Sequence, residues 1–178
     1  MSSDRLKGFP VVSLTEGLKL GTVEAALFDP ATLALRAFRV TGDGQTFLMP
    51  LAGVGTIGPD AVMVESSRVT RAATAEGEFG GLVDFDTLKR LKVVDAAGTL
   101  LGTLHDLDVD LLTGQPLTLT VHKGGFLHRG GATVTVAGAA IRSVGRDLIT
   151  VADVDPTTDT APPITSLTAP DAATAPLA

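Results

Sequence analysis

Short runs of alternating apolar and polar residues make up most of the chain, and Gly, Pro or Asp interrupts them every few residues. The run LHDLDVDLLTGQPLTLTV, residues 104–121, shows this pattern with Asp106, Asp108 and Asp110 at every second position. A period of two is typical of strands with one buried face, and no stretch keeps a helical period over a useful length. The sequence therefore predicts a mainly β protein built from short antiparallel strands.

The same unit occurs twice in the chain. The segments GLKLGTVEAALFDPATLALRAFRV from Gly17 and GTLLGTLHDLDVDLLTGQPLTLTV from Gly98 align without a gap at a constant spacing of 81 residues. Further along, FLMPLAGVGTIGPDAVMV from Phe47 and VTVAGAAIRSVGRDLITV from Val134 align at a spacing of 87 residues. Six extra residues must lie between the two blocks of the second copy, and the Gly-rich segment HKGGFLHRGGA is the predicted loop.

Each copy is predicted to form a small antiparallel barrel of five strands. The predicted strands lie near Val11 and across 21–28, 33–40, 47–51 and 61–64 in the first copy, and near Val93 and across 102–109, 116–121, 133–136 and 148–151 in the second. The residues predicted to form structural turns are Gly17, Gly21, Asp29, Gly98, Gly102, Asp110, Thr113, Gly114 and Gly145. Leu33 stands where the second copy has Gly114, so the first hairpin is expected to turn differently, around Pro30.

The predicted domains are a first barrel at 5–65, a linker at 66–84, a second barrel at 85–154 and a tail at 155–178. The linker is polar and Gly-rich, and a short helical turn is expected within it or at 84–91. The tail combines Pro, Thr and Ala and has few bulky apolar residues, so we expect it to be disordered. The two repeated units are expected to pack through a pseudo-two-fold interface.

The second copy resembles the PRC-barrel family over its full length, and the first copy resembles it more loosely over residues 9–64. The matching motifs are D-x-x-G at 95–98, L-G-T at 101–103, D-x-x-T-G at 110–114 and V-G-x-D at 144–147. The resemblance implies a small barrel of five or six strands, a non-enzymatic role and protein partners. The family also occurs in the photosynthetic reaction-centre H subunit and in a ribosome maturation factor, so it offers accessory roles in those two processes as alternatives.

Composition narrows the classes of function. Hydrophobic residues make up 44% of the chain but aromatic residues only 4%, and neither Trp nor Tyr occurs. With a formal net charge of −6 and few rings to stack on bases, direct nucleic-acid binding is not expected. The absence of Cys fits a reducing compartment, and no run of 18 apolar residues occurs. We therefore expect a cytoplasmic protein without membrane insertion.

The three spaced carboxylates raise the question of a metal site. An EF-hand loop beginning at Asp106 would need Gly at its sixth position and Glu at its twelfth, and the chain has Leu at both. We therefore expect Asp106, Asp108 and Asp110 to face solvent, with Asp110 opening a hairpin turn. The alternatives are a weak divalent-ion site or an enzyme that uses this cluster.

Other candidate chemistry is weaker. GVGTIG, residues 53–58, has the glycine spacing of a dinucleotide-binding loop, but Pro59 and Asp60 follow at once and a strand is expected next. The remaining side chains considered for catalysis are His105, His122, His128 and Ser143. None of them lies in a recognisable catalytic motif, so we read them as surface residues. We predict no catalytic residue, no metal ligand and no cofactor.

The inserted loop distinguishes the second copy from the first. The residues predicted to bind a partner there are Lys123, Phe126, Leu127, His128 and Arg129. An apolar pair framed by basic residues suits an acidic partner surface. The favoured function is a non-catalytic adaptor that binds an unidentified protein, and exposed strand edges could also pair two copies into a homodimer.

Overall fold

The computed structural model describes residues 3–72, 79–123 and 132–152, which form two curled β-sheets. The first sheet contains β1 (Pro10–Ser13), β2 (Leu18–Phe28), β3 (Leu35–Gly42), β4 (Gln45–Pro50), β5 (Val54–Ile57), β6 (Val62–Val64), β7 (Arg71–Ala72) and β8 (Val83–Asp84). The second contains β9 (Lys92–Val94), β10 (Leu100–Val109), β11 (Pro116–Lys123), β12 (Ala132–Ala137), β13 (Ile141–Val144) and β14 (Leu148–Val151). The helical segments are α1 (Phe85–Leu88) and 3-10 turns at Ser3–Leu6, Leu51–Gly53, Ser67–Val69 and Gly138–Ala140.

Both sheets have the same strand order, which confirms the predicted repeat. The order β5-β6-β1-β2-β3-β4 in the first copy corresponds to β13-β14-β9-β10-β11-β12 in the second. Most neighbouring strands are antiparallel as predicted, but β6 lies parallel to β1 and β14 lies parallel to β9. The antiparallel prediction therefore does not hold at this seam. The strands β4 and β5, on either side of the 3-10 turn Leu51–Gly53, run in the same direction, so β6 returns beside β1 in the direction of β1.

The strands β5 and β13 are absent from the sequence prediction. Each has only four residues, with half-buried ends and an exposed middle, so neither shows the alternation that marks the other strands. Gly55 weakens the strand signal of β5 further. The short helical turns expected in the linker or just after it do form, as the 3-10 turn at Ser67–Val69 and as α1.

The β11–β12 hairpin carries the six extra residues of the second copy, as predicted. In the first copy the last pair of the corresponding hairpin is Gly42 with Gln45, so two residues close the turn. In the second copy the equivalent pair is Lys123 with Ala132, which leaves eight residues between the strands. The two strand pairings end at equivalent positions, so the barrel itself does not require the extra residues.

The hairpin turn of the first copy contradicts the expectation that it would differ from that of the second. Leu33 adopts a left-handed φ of 59°, close to the 73° of Gly114. In both turns the N–H of this residue donates to the carbonyl of the Asp that opens the turn, at 2.9 Å and 2.7 Å. The turn is therefore the same in both copies, and the first copy holds a leucine in a conformation that L side chains rarely adopt.

One hydrophobic core contains buried side chains from both copies. The helical turn Ser3–Leu6 lies against β10 of the second copy, while α1 lies against β2 of the first. The rings of Phe28 and Phe85 meet at a centroid distance of 6.0 Å and a tilt of 55°. The segment that leads into each copy therefore packs on the long strand of the other, as a pseudo-two-fold arrangement requires.

The two hairpin turns also meet at this interface, but not symmetrically. The N–H of Leu35 donates to the carbonyl of Gly114 at 2.8 Å. The pseudo-two-fold would relate this bond to one from residue 116 to the carbonyl of Leu33. Residue 116 is a proline without an N–H, so the reciprocal bond cannot form.

The linker adds structure to the first barrel. Its strand β7 pairs with β4, and its strand β8 pairs with β2. Phe79 and Leu82 pack over Leu27, Ala37 and Leu48, which form a second, smaller buried cluster. The outer face of the first sheet is therefore covered by chain that follows it.

Candidate functional site

The outer face of the second sheet is polar where that of the first is apolar. The equivalents of Leu27 and Leu48 there are Asp108 and Thr135. The alternation of β10 places Leu107 and Val109 in the core, as predicted, and leaves Asp106 and Asp108 half-buried on the opposite face rather than fully exposed. Within the described residues, no linker segment covers this face of the second sheet. Polar side chains, including these carboxylates, can therefore occupy it.

Asp106 and Asp110 each accept a hydrogen bond from a nearby backbone N–H. Asp106 accepts the N–H of Leu107 at 2.8 Å, and Asp110 accepts the N–H of Leu112 at 2.8 Å. The bond from the Leu112 N–H holds the pKa of Asp110 below its usual value. In the part of the chain that the structure describes, no three His, Asp or Glu side chains come close enough to hold a metal ion. Asp110 therefore opens the hairpin turn, which is a structural task.

Calcium should leave the stability of the protein unchanged. A site on Asp106, Asp108 and Asp110 that bound calcium would add about 2.7 kcal/mol at 100 times its Kd. Thermal unfolding in calcium and in EDTA should give the same Tm for the wild type and for Asp108→Asn. A calcium-dependent rise of several degrees that Asp108→Asn abolishes would contradict this expectation and favour the metal-binding alternative.

The predicted turn glycines differ in the structural requirement that glycine meets: a positive φ at some positions and a lack of space for a Cβ at another. Those with a left-handed or related positive φ are Gly17 at 63°, Gly98 at 84°, Gly102 at 148° and Gly114 at 73°. Gly21 has an ordinary φ, but a Cβ there would lie 2.6 Å from the carbonyl oxygen of Thr41. Gly145 has neither constraint, and its N–H donates to the carbonyl of Leu148 at 2.8 Å.

The GVGTIG segment has no helix to receive a pyrophosphate. Gly53 ends a 3-10 turn and the next residues form β5. Ser143 also has a local partner, since its hydroxyl forms a hydrogen bond with that of Thr150 on the neighbouring strand. These two features therefore lie in ordinary sheet structure.

Two of the three histidines form a pair that the sequence analysis did not identify. The rings of His105 and His122 face each other across β10 and β11, with centroids 5.5 Å apart. At the equivalent positions of the first copy, the hydroxyl of Thr41 donates to Glu24 at 2.9 Å. The constant spacing of 81 residues could have revealed this shared cross-strand position. His128 lies outside the described residues.

The predicted partner-binding loop begins where the described part of β11 ends. Lys123 is exposed and pairs with Ala132 at the base of the hairpin. The other predicted residues, at 126–129, lie outside the described residues, as does the predicted disordered tail. Beside this hairpin, β12 is the end strand of its sheet, with no further strand pairing in the described part. The equivalent strand of the first copy, β4, is covered by β7.

Comparison with known proteins identifies a family for both copies. The family model described as PRC-barrel domain matches residues 1–71 and 81–155. A search of curated proteins finds no match. None of the helices in the described ranges has the length and hydropathy needed to cross a bilayer.

Proposed function

The chain belongs to the PRC-barrel domain family in two tandem copies, and from this premise we propose that it is a non-catalytic adaptor that binds a protein partner through the second barrel. The hairpin register carries the proposal. The first copy closes this hairpin with two residues, whereas the second has eight at the equivalent place. Insertions that a fold does not need, placed on a rigid hairpin, are common sites of recognition.

The composition of the inserted segment supports a contact with an acidic partner. Lys123, His128 and Arg129 surround Phe126 and Leu127 in the sequence. Aromatic and Arg side chains commonly dominate the energy of an interface, while cations of opposite sign to the partner direct its approach. Among the described strands, none pairs with the outer edge of β12 next to this segment, and this edge could extend such a contact by strand addition.

The titratable groups support a non-catalytic role. Among the described residues, Ser13 is the fully buried polar side chain, and it bonds to Glu16. Desolvation raises the pKa of Glu16, but the hydroxyl and N–H of Ser67 outweigh this and lower it below its usual value. A general acid or base needs a pKa moved toward neutrality. The hydrogen bonds at Glu16 and Asp110 lower the pKa of each carboxyl, away from neutrality.

Replacing residues 124–131 with Asp-Gly, the turn of the first copy, should abolish partner capture and leave Tm nearly unchanged. The strand pairing at Lys123 and Ala132 matches the pairing that this turn closes in the first copy, so the fold has no need of the longer segment. Affinity purification from the native cell with quantitative mass spectrometry measures the capture. The triple change Phe126→Ser, Leu127→Ser and Arg129→Ser should have the same effect.

A matched control uses Thr46→Ser on the equivalent hairpin of the first copy, which should keep every partner. If the loop replacement also keeps every wild-type partner, the loop is not the binding surface and the proposal fails in this form. The homodimer alternative has a separate test, because light scattering on the purified wild type gives the mass of the particle in solution. A dimer that survives the loop replacement would favour pairing through strand edges.

A further inference from the structure

A basic cavity lies on the surface of the second barrel. It has a volume of about 590 Å³ and lies over β9, the end of α1 and the turn between β13 and β14. The residues that line it are Thr87, Arg90, Leu91, Lys92, Val94, Arg146, Asp147 and Leu148. Cavities of this size are typical of sites for small molecules.

The cations of this cavity are not neutralised by neighbouring carboxylates. In the described ranges, no ion pair or hydrogen bond engages the side chains of Arg90, Lys92 or Arg146. Asp147 shares the lining without pairing with any of them, and its backbone carbonyl accepts the N–H of Lys92 at 3.1 Å. In a chain with a net charge of −6, three unpaired cations around one cavity are a local reversal of sign.

The first copy shows that the barrel does not require these charges. The register of β6 on β1 matches that of β14 on β9, so each position has a defined equivalent. Gly8, Pro10 and Pro59 occupy the places of Arg90, Lys92 and Arg146. The three cations are therefore a property of the second copy alone and not a consequence of the shared fold.

From these observations we infer that the cavity binds the phosphate group of a small organic phosphate with an aliphatic body. Three cations and one carboxylate leave two net positive charges, which balance the negative charge of a phosphate monoester near pH 7. The guanidinium groups of Arg90 and Arg146 can each bind phosphate oxygens in pairs. Val94 and Leu148 provide an apolar surface for the aliphatic part, and the lining contains no aromatic ring on which a base could stack.

Titration of the full chain with monobutyl phosphate, followed by amide chemical shifts, tests the inference. We expect shifts at the amides around the cavity and a Kd on the order of 1 mM or below. Arg90→Gln and Arg146→Gln should each weaken binding about tenfold, since each removes a charge-assisted contact. Asp147→Asn should strengthen binding because it removes the one negative charge. Butyrate, with one charge, should bind more weakly than monobutyl phosphate.

Lys89→Gln is the matched control. It removes a positive charge close to the cavity, but Lys89 already pairs with Asp86 at 3.5 Å and lies over the Phe85 ring at 4.9 Å. Its loss should change Kd less than twofold. An effect equal to that of Arg146→Gln would mean that net charge alone attracts the anion, which would overturn the inference. Equal binding of butyrate, or binding only to phosphatidylglycerol vesicles, would overturn it as well.

Discussion

Gly114→Ala should lower the free energy of unfolding by about 3 kcal/mol, although it adds only one methyl group. A Cβ at this position would lie 2.3 Å from the carbonyl oxygen of Leu35 and 2.9 Å from a methyl carbon of Leu51. This oxygen belongs to the residue whose N–H donates to the carbonyl of Gly114 at 2.8 Å, so the two backbone segments are held together where the methyl group would have to fit. The left-handed φ of 73° adds the usual penalty for a residue with a side chain.

Gly98→Ala separates these two causes. Gly98 has a φ of 84°, but nothing lies within 4 Å of the Cβ that alanine would add. It should cost only the conformational penalty of about 1 kcal/mol. Chemical denaturation of both variants measures the difference. Equal losses for Gly98→Ala and Gly114→Ala would show that the contact between the two copies at Leu35 contributes nothing.

Leu33→Gly should destabilise the protein by about 2 kcal/mol, even though glycine is the residue that suits this backbone. Glycine relieves the strain of the left-handed φ, which raises the free energy of unfolding by about 1–2 kcal/mol. Leu33 is fully buried, however, and loss of a buried leucine side chain costs about 2–5 kcal/mol. Burial is the larger effect, so the substitution that local conformation favours is unfavourable overall.

Urea denaturation of Leu33→Gly beside Leu33→Ala provides the comparison. Alanine keeps the strain and also loses most of the side chain, so both variants should unfold at lower urea than the wild type. A Leu33→Gly variant as stable as the wild type, or more stable, would mean that the left-handed φ costs as much as the buried side chain contributes.

Leu33 also marks the limit of what the sequence could predict. The repeat, most of the strands and the place of the insertion follow from spacing and alternation, because these patterns can be read directly along the chain. The left-handed turn at Leu33 has no such signal, because leucine rarely adopts a positive φ. Contacts between the two copies have no local signal either. A methyl carbon of Leu51 lies 2.9 Å from where a Cβ on Gly114 would be, and the equivalent of Leu51 in the second copy is Gly138.

In the candidate sites too, features that depend on the local pattern were predictable, and contacts between remote segments were not. Alternation alone placed Leu107 and Val109 in the core and the carboxylates on the other face. It could not show that the linker covers this face in the first copy, since Phe79 and Leu82 are remote in sequence from Leu27. The basic cavity likewise combines α1 and β9, which are neighbours in the chain, with the β13–β14 turn, which follows β9 by more than half of the second copy.

The one-sided hydrogen bond between Leu35 and Gly114 bears on how such a protein can diverge. In a symmetric dimer of identical chains, every substitution appears on both sides of the axis at once. A proline at the position of Pro116 would then remove both bonds. Once two copies share one chain, each side changes independently. This interface holds a donor on one side and a proline on the other, a combination that no homodimer of either copy could form.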